Sequence, residues 1–282
     1  MKKFVEIWQL AKAFATPKGE HVVVDGFDLT IDEGEFVSII GHSGCGKSTV
    51  LSILAGLTEA TSGVVILAGR EVTGPGPNRG MVFQSPSLFA FMTARQNVAL
   101  GVDHVYPKKS ARERRAIVDE HLALVGLADA AEKRPAALSL GMRQRVGLAR
   151  AFAIDPQVLL LDEPFGMLDS ITRLELQDAL IEVWSKNRKT AVMITHDVDE
   201  ALCLSDRVVM MTSGPRAKVG GVLHVPFARP RDRDTLLEEP SYRVLRDELL
   251  GFLEQQAHTP DEEAALGPSS EAAHDARLVT AT

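Results

Sequence analysis

The hydrophobic positions of this chain first come in short runs separated by turn residues, a pattern that predicts β-strands. Four such runs lie near the N-terminus, at residues 4–8, 22–24, 27–31 and 36–40. Pro17, Gly19 and Gly34 stand between them. Short apolar runs bounded by glycine and proline are typical of antiparallel strands. We therefore expect an antiparallel β region over residues 4–40.

Helical spacing begins at residue 85, where apolar residues start to recur three and four positions apart. Ser110 precedes one such stretch, and Ser139 precedes another that continues through Arg150. Later in the chain, continuous apolar runs alternate with helical segments, at 158–161, 173–186, 191–195, 197–204 and 208–211. Continuous apolar runs are typical of strands buried in a parallel sheet. The pattern predicts an α/β core with a mixed or parallel sheet and a helical subdomain at about residues 85–150.

The C-terminal part of the chain has a weaker pattern. Residues 231–257 contain one further helical stretch, around residues 242–253, and we interpret this region as a C-terminal helical extension. Beyond His258, alanine, glutamate, proline and serine dominate without periodicity. Such a composition buries too little apolar surface to order a chain, so we expect residues 258–282 to be disordered.

The composition narrows the function classes. The 282 residues are 45% hydrophobic and 24% charged, with a formal net charge of −7. An acidic chain has no excess of lysine and arginine to neutralise phosphates, which argues against a general nucleic-acid binder. Its two cysteines, Cys45 and Cys203, indicate no disulfide framework, so we expect a reducing, cytosolic compartment. No apolar run reaches the roughly 18 residues needed to span a bilayer, and the first residues do not resemble a signal peptide.

A glycine-rich segment after the run 36–40 has the spacing of a phosphate-binding loop. Its residues are Gly41, His42, Ser43, Gly44, Cys45, Gly46, Lys47, Ser48 and Thr49. Glycines leave backbone N–H groups free to converge on phosphate oxygens, and the following helix adds the positive end of its dipole. We expect Lys47 to bridge the outer phosphates, Ser48 to bind Mg²⁺ and Thr49 to lie near the inner phosphate.

Two acidic residues follow the apolar run 158–161. Asp162 and Glu163 follow residues 158–161, so we expect Asp162 beside the P-loop of the neighbouring strand, where ligands bind in open α/β sheets. Asp162 would hold the Mg²⁺ shell, and Glu163 would orient or deprotonate an attacking water. The alternative is that both acids cap the following helix.

Two further polar residues stand at strand ends. Gln84 follows an apolar run, and an amide there can contact Mg²⁺ or the attacking water. His196 follows the run 191–195 and can hydrogen-bond an outer phosphate. Either residue alone is more often structural.

Ser139 and Gly141 indicate a second anion site. Ser139 is a good N-cap, and the start of its helix would bind a phosphate. One nucleotide does not need two helix N-termini from one subunit. We therefore expect a second copy of the chain to donate Ser139 and Gly141 across an interface.

Taken together, these motifs resemble the ATP-binding subunits of ABC transporters over residues 4–230. The matching segments are the P-loop 41–49, the Q-loop Gln84, the signature loop 138–142, the Walker B strand 158–163, the D-loop 166–169 and the switch His196. The resemblance implies an ATP hydrolase that uses ATP and Mg²⁺. It also implies that Phe14 stacks on adenine, with a core phenylalanine as the alternative, and that Asp169 of the D-loop belongs to the nucleotide site.

The signature loop departs from the family pattern. Leu140 replaces a glycine, and Met142 replaces a glutamine. A branched side chain restricts the backbone and crowds the approach of a phosphate. Because Ser139 and Gly141 remain, we expect a working but weakened composite site, or pairing with a different ATPase subunit.

The resemblance also implies partners. It implies ABC permease subunits that carry the membrane spans, an indirect link to a solute-binding receptor, and either a homodimer or a heterodimer with a second ATPase subunit. The segment after Gln84 would dock the permease, and its apolar residues would partly pack internally. The chain would then lie on the cytoplasmic face of the inner membrane, with no role for nucleic acid.

The finer resemblance is to the nitrate, sulfonate and taurine importers. The segments 163–173 and 207–231 are most similar to the nitrate and bicarbonate branch. Nitrate is therefore the expected solute, with sulfonate, taurine and bicarbonate as alternatives. The rival functions are a soluble ABC ATPase acting on DNA or ribosomes and a P-loop phosphotransferase.

Overall fold

The computed structural model describes residues 3–17 and 19–257, and the tail predicted to be disordered lies outside the described residues. Its strands are β1 (Lys3–Thr16), β2 (Gly19–Asp32), β3 (Phe36–Ile40), β4 (Ser62–Leu67), β5 (Arg70–Glu71), β6 (Arg79–Val82), β7 (Val158–Asp162), β8 (Thr190–Ile194), β9 (Arg207–Met211) and β10 (Val219–His224). Its α-helices are α1 (Lys47–Ala55), α2 (Ala94–Val105), α3 (Ala111–Leu124), α4 (Leu140–Ala153), α5 (Ser170–Asn187), α6 (Val198–Leu204), α7 (Arg233–Glu238) and α8 (Pro240–Ala257).

The first sheet is antiparallel and has the strand order β2-β1-β4-β5. The predicted antiparallel structure is confirmed for residues 4–32, and the runs 4–8, 22–24 and 27–31 belong to just two long strands. Gln9 has a positive φ of 45°, and the β1–β2 register shifts on either side of Leu10. These irregularities break the alternation of apolar and polar residues, so a continuous strand reads as a short one.

The second sheet carries the parallel strands and has the order β10-β9-β3-β8-β7-β6. Its neighbouring pairs are parallel except for β10 and β9. Strand β3 belongs to this sheet, so its assignment to an antiparallel region was wrong. All five residues of β3 and all five of β8 are buried, as expected for strands covered on both faces.

The helical region is built from α2, α3 and α4. Each helix begins after a residue whose hydroxyl accepts a hydrogen bond from a backbone N–H of the first turn. These residues are Thr93, Ser110 and Ser139 respectively. Their apolar faces meet at Val98, Leu122 and other buried residues. Residues 85–93, expected to be helical, instead form a loop, because Thr93 caps α2 and Ser87 has a positive φ of 48°.

The C-terminal helices pack on the main body. Tyr242 and Leu249 of α8 are buried against Leu202 of α6 and Leu223 of β10. Among the described residues, no helix is long and apolar enough to cross a membrane.

Candidate functional site

Four parallel strands bring predicted site residues to one edge of the second sheet. Strand β3 leads into the P-loop, β6 precedes Gln84, β7 ends at Asp162, and β8 precedes His196. This is the edge at which open α/β sheets bind ligands. One expectation was wrong, since β8 lies between the P-loop strand and the Asp162 strand. Asp162 still reaches the P-loop, because Ser48 in the first turn of α1 contacts it.

The P-loop folds back over its own lysine. The Lys47 ammonium donates to the carbonyl of Gly41 at 2.7 Å and to that of His42 at 2.9 Å, and the side chain is buried. Gly46 has a φ of 101°, and a Cβ there would lie 2.7 Å from Val23 Cγ1, so only glycine fits. Helix α1 begins at Lys47, and the N–H groups of its first turn have no partner within the helix. Such groups bind anions.

Ser48 and Asp162 form the second part of the cluster. The Ser48 hydroxyl donates to Asp162 Oδ1 at 3.0 Å. Burial raises the pKa of Asp162, while the Ser48 hydrogen bond acts in the opposite direction. The carboxylate is thus held partly out of water, where a cation would favour its charged form.

Glu163, Gln84 and His196 form the third part of the cluster at this sheet edge, with Glu163 between the other two. Its backbone has a positive φ of 42°, and its N–H donates to the carbonyl of Ile194 at 3.0 Å. Glu163 Oε2 accepts a hydrogen bond from Gln84 Nε2 at 3.1 Å and lies 3.5 Å from His196 Nδ1. An uncommon backbone conformation held by neighbouring strands is a frequent feature of active sites. Here it directs the carboxylate towards both residues.

Phe14 lies at the surface near the P-loop. Its side chain is 42% exposed, so it is not the core phenylalanine of the alternative interpretation. Lys12 Nζ lies 4.9 Å from the ring centroid. His21 is the cross-strand partner of Phe14, and it lines a cavity of about 250 Å³ together with residues 42–45 of the P-loop.

Ser139 and Gly141 make their contacts around the start of α4. Ser139 is exposed, and its hydroxyl accepts from the Met142 N–H at 3.2 Å. Gly141 is buried, and a Cβ on it would lie 2.3 Å from Thr172 Cγ2. Glycine at this position therefore also serves the packing of α4 on α5.

Leu140 does not strain the backbone. It is the first residue of α4, where leucine has ordinary helical geometry, and its side chain packs against the core of the helical region. The expected backbone restriction was wrong for this reason.

Asp169 caps helix α5. Its carboxylate accepts from the Thr172 N–H at 3.1 Å, and this hydrogen bond lowers the pKa of Asp169. Its contacts in the described chain thus give it a structural role beside the one expected of a D-loop residue.

Comparison with known proteins identifies the family. The family model described as ABC transporter matches residues 24–166. The chain belongs to the ABC transporter ATPase family. This ABC ATPase is 50% identical over 250 residues to the bicarbonate transport ATP-binding protein CmpD of Synechocystis sp., covering 89% of each chain. It is 52% identical to the nitrate import ATP-binding protein NrtD of Synechococcus elongatus, covering 89% of this chain and 92% of NrtD.

A solved structure supports the same assignment at the level of the fold. The dimeric ATP-binding cassette MJ0796, in a post-hydrolysis state bound to ADP and Pi, has a TM-score of 0.71 to this ABC ATPase. The two are 31% identical, and the match covers 79% of this chain and all of MJ0796. The expected P-loop ABC ATPase fold is thereby confirmed.

One group of residues around His196 was missed in the sequence. Thr195 donates to Glu200 Oε2 at 2.6 Å, and the Asp197 N–H donates to Thr195 Oγ1 at 3.0 Å. Arg173 Nη1 lies 3.4 Å from Asp197 Oδ2. Burial raises the pKa of Glu200, and the Thr195 hydrogen bond opposes the rise. The network fixes both neighbours of His196 in this ABC ATPase, and an aspartate at the N-cap of α6 was the available signal.

Proposed function

We propose that this ABC ATPase energises the import of a small trigonal-planar oxyanion, nitrate or bicarbonate. The observation that carries the proposal is the cluster of Lys47, Asp162 and Glu163 at one sheet edge, in a chain about half identical to nitrate and bicarbonate transport ATPases along nearly its full length. Both anions are monovalent and planar, and the solute does not contact this chain.

ATP is bound by the P-loop in this proposal. The N–H groups of the first turn of α1 and the ammonium of Lys47 receive the phosphates, and Thr49 lies near the inner one. Phe14 stacks on the adenine, consistent with its exposure and with its partner His21 on the adjacent cavity.

Ser48 and Asp162 fit a Mg²⁺ ion. Their oxygens lie 3.0 Å apart beside the P-loop, and Mg²⁺ prefers hydroxyl, carboxylate and phosphate oxygens. Gln84 supplies a further amide oxygen. When bound, the ion would neutralise charge on the phosphates.

Glu163 acts as the general base. Its carboxylate orients and deprotonates the attacking water, and the reaction breaks the bond between the terminal phosphate and ADP. Gln84 and His196 hold this carboxylate and contact the terminal phosphate. Electrostatic stabilisation by such preorganised groups supplies a large part of the rate in phosphoryl transfer.

A second ATPase chain completes each site. Ser139 is exposed at the start of α4, so its helix N-terminus is available to a nucleotide held by a partner subunit. Gly141 and Asp169 lie near that interface in the proposal. The dimeric state of MJ0796 supports this arrangement, which accommodates either a homodimer or a heterodimer.

The loop after Gln84 is the proposed docking surface for a permease. Phe89 is 47% exposed and Phe91 is 68% exposed, whereas Leu88 packs against the helical core. The apolar residues of this loop thus divide between the core and the surface, as the sequence predicted. A permease carrying the membrane spans would hold this ABC ATPase on the cytoplasmic face of the membrane, with a solute receptor acting through the permease.

The test is a purification of the tagged chain from detergent-solubilised native membranes, with partners identified by mass spectrometry. We expect a polytopic membrane protein together with a receptor that binds nitrate or bicarbonate. A second ATPase in the complex would establish the heterodimer. Recovery of a sulfonate or taurine receptor would show that the solute is sulfonate or taurine in place of nitrate or bicarbonate. Recovery of only ribosomes or DNA would contradict the transport function.

A further inference from the structure

We propose that His42 is a positioning residue, through which the C-terminal helix α8 sets the shape of the P-loop and hence the affinity for nucleotide. The inference rests on the phosphate-binding role proposed above for the P-loop. It adds a contact outside the strand edge, made by a helix that follows the last strand of the sheet.

The contact is a hydrogen bond between the P-loop and the main chain of α8. His42 Nε2 lies 2.6 Å from the carbonyl oxygen of Leu253. A carbonyl only accepts, so Nε2 is the donor. The carbonyl of His42 in turn accepts from Lys47 Nζ at 2.9 Å. One residue therefore connects α8 to the lysine that receives the phosphates.

A second pair of hydrogen bonds joins the last turn of α8 to Ser213, which follows strand β9. The Ser213 N–H donates to Gln256 Oε1 at 3.0 Å, and the Ser213 hydroxyl donates to the Gln256 carbonyl at 2.8 Å. Ser213 and residues 42–45 line the same cavity of about 250 Å³. The end of α8 thus contacts two residues that line this cavity, His42 and Ser213.

Helix α8 is itself fixed to the body of the protein. Tyr242 Oη donates to Asp199 Oδ1 at 2.7 Å, and Arg246 Nε donates to the same oxygen at 2.9 Å. Phe252 packs so closely on β10 that a Cβ on Gly220 would lie 2.7 Å from its Cζ. Because these contacts fix α8 independently of the P-loop, its hydrogen bond to His42 restrains the position of the P-loop.

The experiment measures binding of a non-hydrolysable ATP analogue with Mg²⁺ to the full chain by calorimetry. Loss of one hydrogen bond that favours the binding-competent loop corresponds to a roughly three- to tenfold weaker Kd for His42→Ala. His42→Gln keeps an N–H donor of similar reach and should recover most of the affinity. Val244→Ala, at a position 66% exposed on α8, is the matched control and should bind as the wild type does.

A second variant acts on α8 without touching the P-loop. Phe252→Ala removes the ring that packs on Gly220, so it should also weaken binding. If the two residues act through one contact, the affinity of the double variant for the analogue should equal that of the single variant that binds less tightly. In steady-state hydrolysis, KM for ATP should rise in each variant by more than kcat falls, because the change acts on the P-loop and leaves the contacts of Glu163 with Gln84 and His196 in place.

Two results would overturn the inference, and they differ from failure of the P-loop role. Unchanged affinity in a His42→Ala chain with the wild-type melting temperature would remove the positioning role. So would fully additive losses for His42→Ala and Phe252→Ala. If Lys47→Ala bound the analogue as tightly as the wild type, the P-loop role itself would fall, and the inference with it.

Discussion

Among individual side chains, Asp162 shows how the site is held at the expense of stability. Burial raises its pKa in the folded chain above the unfolded value of about 3.9. The folded state therefore holds the proton more tightly, and this group makes the fold less stable as the pH rises from about 4 through the folded pKa. Asp169 behaves in the opposite way, because its helix-capping hydrogen bond lowers its pKa.

Asp162 and Asp169 should therefore affect the melting temperature in opposite directions. Asp162→Asn should raise the melting temperature at neutral pH and slow ATP hydrolysis, whereas Asp169→Asn should lower the melting temperature. The Asp162 difference should shrink towards zero as the pH falls below about 4, where that carboxyl becomes neutral in the folded and unfolded chains. The Asp169 difference should persist to lower pH, until the pH falls through the lowered pKa of the folded chain. Thermal unfolding followed between pH 3 and 8 checks this. An Asp162→Asn chain that melts below the wild type at pH 7 would contradict the burial argument.

At this scale the sequence indicates which residues the fold brings to the sheet edge, while their chemical roles stay predictions. The nine residues 41–49, Asp162, Glu163, Gln84 and His196 carry local signals, since each stands at the end of an apolar run. The role of Leu140 was harder to predict, because whether a leucine points to a ligand or to the core depends on the packing of α4. The contact of His42 with Leu253 spans 211 residues and has no local signal.

Among the helices, α4 offers a direct test of the second anion site. Ser139→Ala removes the cap of α4 and should reduce stability by about 1 kcal/mol. Ser110→Ala removes the equivalent cap of α3 and should reduce stability by a similar amount. ATP hydrolysis by the assembled dimer should fall only in Ser139→Ala, because only that hydroxyl is proposed to reach a nucleotide. Equal activity in the two variants would leave Ser139 as a cap alone.

The packing of α4 on α5 supplies another prediction. Gly141→Ala should destabilise the chain by about 1–3 kcal/mol, since the added methyl overlaps Thr172 Cγ2. Adding Thr172→Ser removes that methyl while keeping the hydroxyl, and it should restore most of the stability, measured by urea unfolding. If activity returns together with stability, Gly141 acts through packing. If stability returns without activity, Gly141 is also needed next to the phosphate.

Helices were easier to predict than the strand pairing. Ser110 and Ser139 mark the starts of α3 and α4, because a hydroxyl before an apolar periodic stretch is a local N-cap signal. Strand order depends on contacts distant in sequence. The insertion of β8 between β3 and β7 could therefore not be deduced from the apolar runs alone, although the position of their carboxyl ends could.

For the molecule as a whole, an exposed pair of aromatic residues is a feature that packing within the described chain does not explain. Phe89 and Phe91 lie with ring centroids 5.8 Å apart on the surface of the loop after Gln84. Phe91→Ala should leave the hydrolysis of ATP by the assembled ATPase dimer unchanged and reduce recovery of the permease from membranes. Leu57→Ala, at a surface position 54% exposed, is the matched control. Equal recovery of the permease with both variants would exclude this loop as the docking surface.

The most direct test of the proposed transport function is uptake by proteoliposomes that contain the purified membrane complex, with ATP supplied on the side of the ATPase. We predict ATP-dependent accumulation of labelled nitrate or bicarbonate. Glu163→Gln should assemble into the complex and bind ATP, but it should lose hydrolysis by roughly 10²- to 10⁴-fold and uptake with it. Uptake at the wild-type rate with Glu163→Gln would contradict the role of Glu163 as the general base. A complex that hydrolyses ATP but moves neither anion would contradict the proposed transport function.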